Sequence, residues 1–214
     1  MRIAVAFIAL LCSAALADDT AFREAAAVQY RAMLAAMSAK GRLDDDPILL
    51  ERVRRIGAGI IAAAGQARPE TSTWPWEIHV TSDPSQAAFC MAGGKVLVGR
   101  AFVARLALTD GELAMLLGHE IAHAVADHRR EASRATMESD PAAEVREASI
   151  AVMQEDEADR IGMELAHRAG WPAASLVGFF DKLAAREPAG SFSSTHASAA
   201  ARAEAARTMA RALQ

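Results

Sequence analysis

The sequence predicts an α+β domain, mainly α, with a small β-sheet among its helices. Three observations point there. Long stretches carry apolar side chains at helical spacing, and alanine supplies much of the 52% apolar content. Aromatics reach only 5%, which suits close-packed helices better than a sheet sandwich. A single region, between Arg68 and Gly99, switches to the alternation of strands. At 214 residues one domain with a sizeable core fits, and a formal charge of -4 gives no electrostatic footprint for nucleic acid, so no nucleic-acid partner is expected.

The first residues read as a leader. Arg2 is a short basic start, Ile3 to Ala14 is an apolar run, and Ala15-Leu16-Ala17 is a small-residue cleavage pattern before Asp18. The run is shorter than the about 20 residues a spanning helix needs. The expected layout is a signal peptide over 1–17 and a single domain over 18–214, periplasmic or secreted, with no transmembrane helix after the leader. Lipidation of Cys12 is the rival reading, and bulky Leu11 argues against it. Loss of Cys12 leaves Cys90 alone, so no intrachain disulfide forms, and Cys90 is expected as a buried small hydrophobe rather than a ligand or nucleophile.

Asp18 or Asp19 caps a first helix through Phe22, Ala26, Tyr30, Met33 and Met37, ending near Gly41. Tyr30, the only tyrosine, is expected in the core. Asp46-Pro47 opens a second helix, with Ile48, Leu49, Val53, Ile56 and Ile60 at helical spacing, which closes at Gly65. Trp76 to Thr81 alternates as a half-buried strand, Asp83-Pro84 turns the chain, and Lys95 to Val98 is a second strand after the Gly93-Gly94 bend. His79, alone at a strand position, is expected to be packed or solvated. Ala101 to Leu108 forms a short helix. Thr109-x-x-Glu112 reads as a capping box that starts a long helix, expected to continue to about Ser139. Asp140-Pro141 starts the next, which stops at Gly170-Trp171-Pro172, with His167 placed near its C-terminal dipole. A helix through Leu176, Phe179, Phe180 and Leu183 ends near Pro188. A small-residue loop over 189–195 then delivers His196 to a last helix rich in Ala and Arg.

The stretch that carries chemistry is His119-Glu120-Ile121-Ala122-His123. Histidines four residues apart lie about 40° apart around a helix, so both imidazoles leave one face and can hold one zinc ion. Glu120 projects from that side too, where its carboxylate can take a proton from the attacking water and return it to the leaving amine. Leu113, Leu116, Leu117, Ile121 and Val125 form an apolar stripe through the pentad, which sets it apart from two ordinary packed or solvated histidines.

Such a pair still lacks a third protein ligand. Within Gln154-Glu155-Asp156-Glu157-Ala158-Asp159-Arg160, an acidic run that also suits a solvated face, Glu155 and Asp159 share one side of a helix. Glu155 can bind the metal, and Asp159 can accept a hydrogen bond from a ligand histidine and fix its tautomer. Glu157 points elsewhere and is the weaker candidate. An extended HExxHxxGxxH pattern fails, because Ala126 and Arg129 stand where glycine and histidine are required. His128 is expected to face away from the pair and to be exposed. His196 has two readings: a helix-start histidine in solvent, or a loop group that steadies an oxyanion or takes the open metal position.

With these pieces, the chain resembles metallopeptidase family forty-eight, zinc metalloproteases of the CAAX prenyl endopeptidase type. LGHEIAH and EDEADRIG both match, and the likeness runs from about Asp46 to Arg202. It implies a gluzincin-like zinc metallopeptidase domain with zinc ligands His119, His123 and Glu155, one ion per chain, catalytic Glu120, and Asp159 behind the ligands. Ser194-Thr195-His196, with Arg202 six residues on, looks like the family's STHP...R segment, which implies His196 at the active site. The chain departs from the pattern at Ala87, where asparagine is usual, and at Ala92 and Ala197, where proline is usual.

The expected activity is zinc-dependent endopeptidase hydrolysis, in which an extended substrate pairs with the Lys95 to Val98 strand. The resemblance implies unfolded or misfolded envelope proteins as substrates. The alternative is a chaperone-like or scaffold protein with a closed structural zinc site, against which intact Glu120 speaks.

Overall fold

A capping box starts the helix around which the rest packs. The computed structural model describes residues 3–128, 143–186 and 198–213. Helix α4 (Asp110–Val125) opens at Thr109, whose hydroxyl accepts from the Glu112 amide while Glu112 Oε2 accepts from the Thr109 amide at 2.7 Å. Glu112 is itself buried and also receives Lys182 Nζ at 2.6 Å. Burial favours its neutral form, yet the bonds from Lys182 and Thr109 hold its carboxyl below the usual range.

Around α4 stand α2 (Pro47–Ala67), α5 (Ala143–Arg168) and α6 (Ala173–Ala184), with α7 (Ala199–Ala212) packed on α5 and α6. The α2 start is local chemistry: Asp46 accepts from the Leu49 amide at 3.0 Å and proline holds the first helical position. Arg52 and Arg55 on α2 then grip Asp110, at 2.6 and 2.7 Å, which ties α2 to the first turn of α4.

The sheet has three strands, β1 (Glu77–Thr81), β2 (Ala88–Met91) and β3 (Lys95–Gly99), in the order β1-β3-β2. β1 runs parallel to β3 and β2 antiparallel. Val96 and Val98 enter the main core with Leu113, Leu117 and Ile121, while Leu97 faces Tyr30 and Met91 under α1 (Ile3–Ser38). Tyr30 is fully buried, as its position on the apolar stripe predicts, and its hydroxyl donates to Val96 O. Both glycines of the bend have positive φ, 77° and 78°, and a Cβ on Gly94 would lie 2.4 Å from Trp76. Cys90 is buried in the main core as expected. His79 pairs with Asp44 at 2.7 Å on β1. His167, in the last turn of α5, lies 3.1 Å from Trp171 O.

Five readings of the fold need correction, the first being Ile48, which is counted on the apolar face of the second helix and is instead 81% exposed in its first turn. The first helix begins at Ile3 rather than at Asp18 or Asp19, because the Ala- and Leu-rich run before them is itself helix-forming and continues without a break. Helix α4 ends at Val125, well before Ser139, because Asp127 takes a left-handed backbone (φ 62°) that stops the helix. Ala88 to Met91 is a strand that its sequence does not announce, since it is short and has no polar alternation. The Lys95–Val98 strand is central, with both backbone edges already paired, so an extended substrate cannot add there. The Asp140-Pro141 helix start lies outside the described residues. Among the described residues, no helix is long and apolar enough to cross a membrane.

Candidate metal centre

Two glycines let the two motif-bearing helices touch backbone to backbone. A Cβ on Gly118 would lie 2.4 Å from Gly162 O, and one on Gly162 would lie 2.5 Å from His119 N, so side chains are excluded on both sides of the α4–α5 crossing. Asp159 and Glu155 sit three and seven residues before Gly162 on α5, on the side that faces α4. The crossing therefore carries both carboxylates to the histidines.

His119, His123 and Glu155 converge there, with one ligand atom from each within 4.8 Å of the others. His119 Nε2 and His123 Nε2 are 3.2 Å apart. Glu155 Oε1 is 3.2 Å from His123 Nε2, and Oε2 is 3.4 Å from His119 Nε2. Tetrahedral ligands bound at about 2.0–2.1 Å stand about 3.3–3.4 Å from one another, so these spacings match the edges of a zinc polyhedron. Two imidazoles and a carboxylate are also a donor set that zinc takes in catalytic sites.

The surroundings hold these groups in place. Asp159 Oδ1 lies 2.9 Å from His119 Nδ1, and Arg202 of α7 clasps the same carboxylate through two bonds of 2.7 Å. A third guanidinium nitrogen, Arg202 Nη1, lies 3.7 Å from Glu155 Oε2. Burial works against protonated His119, but bonds to Asp159 and Glu155 overcome it and raise its pKa to about 9. Burial likewise pushes Glu155 up, and contacts with His119 and His123 more than reverse this, leaving it far below the usual carboxylate range. Asp159 follows the same pattern, held down by His119 and Arg202. The centre is thus arranged around positive charge.

Glu120 lines the same cleft, which has a volume of about 350 Å³. Phe89 of β2, Phe102 of α3 (Arg100–Leu106), Leu116, Phe179 and Leu183 form its apolar side. Glu157 is not part of the converging group and instead approaches His128. His196 falls within 187–197, outside the described residues.

His128 corrects the sequence reading. Continuing α4 would carry it away from the pair and into solvent; instead it is 2% exposed, and its Nδ1 lies 3.0 Å from His123 Nδ1. The left-handed turn at Asp127 is the reason, and nothing local in the sequence marks that turn. Arg202 stood in the matched segment without a role; its grip on Asp159 depends on α7 packing against α5, which no local pattern reveals.

The chain is also similar in sequence to known proteins. Residues 47–145 match the model of Peptidase family M48, a span that contains the His119–His123 pentad and ends before Glu155. The chain is similar to a beta-barrel assembly-enhancing protease of Yersinia pestis, 27% identical over 177 residues, which cover 69% of this chain and 35% of that protein. It is also similar to mitochondrial metalloendopeptidase OMA1 of Schizosaccharomyces pombe, 42% identical over 79 residues, covering 37% of this chain and 22% of the relative. The OMA1 metalloendopeptidase of Danio rerio is 40% identical over 68 residues, covering 31% and 14%. The chain thus spans about a third or less of the length of these curated relatives.

Proposed function

We propose that this chain, which matches Peptidase family M48 over residues 47–145, is a zinc-dependent metalloendopeptidase of that family. The observation that carries the reading is the tetrahedral spacing of His119, His123 and Glu155 beside Glu120 in one cleft. We assign the first three as ligands. When bound there, zinc supplies a Lewis acid that polarises a scissile carbonyl and lowers the pKa of water from 15.7 to about 7. Glu120 takes a proton from the attacking water and delivers it to the amine nitrogen as the carbon–nitrogen bond breaks. Asp159 holds His119 in the tautomer that leaves Nε2 free to ligate, and Arg202 keeps Asp159 ionised. A closed structural site is disfavoured by the position of Glu120, which lines an open cleft.

His196 is assigned to steadying the oxyanion, on the strength of its place in the Ser194-Thr195-His196 segment six residues before Arg202. Hydrolysis of unfolded casein tests both assignments. The zinc-loaded chain is expected to cleave it, to lose activity to a chelator and to regain it with zinc. His196→Ala is expected to slow turnover by about 10²–10³-fold, the usual loss for one oxyanion donor. Unchanged turnover would remove His196 from the site.

Residues 1–17 are proposed as a signal peptide, with 18–214 as the peptidase domain, exported to the periplasm or secreted. Similarity to the beta-barrel assembly-enhancing protease of Yersinia pestis supports misfolded envelope proteins as substrates. The N-terminal mass of the chain recovered from the periplasmic fraction checks the layout: a start at Asp18 fits, and an intact Met1 does not.

A further inference from the structure

Each ligand imidazole has two nitrogens, and the structure gives each outer nitrogen a different partner. That of His119 meets Asp159, as a ligand histidine commonly meets a carboxylate. That of His123 meets a third histidine. We propose that His128 positions the zinc ligand His123 by accepting a hydrogen bond from its Nδ1–H, and that this contact is needed for tight zinc binding. The proposal rests on the ligand assignment made above.

The geometry fixes the direction of the bond. His123 Nε2 faces His119 Nε2 and Glu155, each at 3.2 Å, so its lone pair belongs to the metal and the ring hydrogen must sit on Nδ1. That hydrogen points at His128 Nδ1, 3.0 Å away, which must then accept. Accepting at Nδ1 places the hydrogen of a neutral His128 on Nε2, and this nitrogen lies 3.4 Å from Glu157 Oε2, an acceptor. The reverse assignment would put a hydrogen on His123 Nε2 and close the ring to a cation. Each ligand thus has an ordered chain behind it, from His119 to Asp159 to Arg202, and from His123 to His128 to Glu157.

His128 is built to hold this position. It is almost completely buried, the left-handed turn at Asp127 brings it back over α4, and Gln154 donates to its carbonyl at 3.3 Å from α5. Glu157 is 49% exposed and its contact is long, so solvent can take its place. The His128–His123 bond is therefore the link expected to matter.

Zinc affinity, measured by competition with a chromophoric chelator on the purified chain, tests this without reference to turnover. His128→Leu is expected to weaken binding by about 10–100-fold, the usual cost of losing such a partner. His128→Asn places its amide oxygen close to where Nδ1 stood and is expected to recover most of the loss. A leucine variant that binds zinc like wild type overturns the proposal, as does an asparagine variant as weak as the leucine one. Nitrogen-15 spectra of the histidine rings in the zinc-loaded wild type decide the question independently of how the variants fold. A proton on His123 Nδ1 and another on His128 Nε2 are expected, and the opposite tautomers overturn it. Those failures leave the peptidase reading standing, whereas a wild type that takes up no zinc removes both.

Discussion

Glu120→Gln is expected to lower hydrolysis of unfolded casein by about 10²–10⁴-fold, the range that a positioned general acid–base supplies. Glutamine keeps the size and the helix propensity of the residue but has no carboxylate to receive the water's proton. Zinc content should stay at that of the wild type, because the atoms that converge on the centre come from His119, His123 and Glu155 and not from Glu120. Retention of metal with loss of rate separates a chemical role from a structural one. A glutamine variant within threefold of wild-type activity would remove Glu120 as the base. If wild type and variant are equally inert with zinc bound, the endopeptidase reading falls and the scaffold reading takes its place.

What could be read from the sequence was what is decided locally. The capping box at Thr109 and the Asp46-Pro47 start of α2 need only neighbouring residues, and both appear as expected. Strands β1 and β3 announce themselves by alternation and by a short β-branched run. β2 does not, because Ala88 to Met91 becomes a strand by pairing with β3 rather than by its own pattern. The convergence of α4 and α5 was proposed from residue types and spacing on two separate helices. Its physical cause is the close approach of Gly118 and Gly162, which stand within LGHEIAH and EDEADRIG but acquire that role only once the partner helix is in place. The position of His128 is hidden for a related reason: extending a helix by periodicity assumes that nothing stops it, and the left-handed residue Asp127 does.

Arg202→Leu is expected to destabilise the fold by about 3 kcal/mol, the lower end of the range for removing one partner of a buried ion pair. The side chains of Arg202 and Asp159 are 10% and 6% exposed, so solvent screens their attraction little. Leucine fills part of the space over the Phe180 ring, where the guanidinium now lies 5.6 Å from the centroid, but it leaves the Asp159 carboxylate desolvated. His119 still meets that carboxylate through Nδ1, which is why the lower end of the range applies. For a chain of this size the loss corresponds to a fall in Tm of about 6–12 °C. Adding Asp159→Asn should recover part of it, because the buried charge is then gone, and that non-additivity is the signature of a coupled pair. The acid side gives a second readout. Asp159 is held below its unfolded value, so the stability it contributes is present above about pH 4 and is lost only as pH falls through the lower folded pKa. Without Arg202 that folded pKa rises, and acid unfolding should begin at a higher pH than in the wild type. A leucine variant that matches wild type in Tm and in acid midpoint would mean that the clasp on Asp159 contributes nothing to holding the metal centre together.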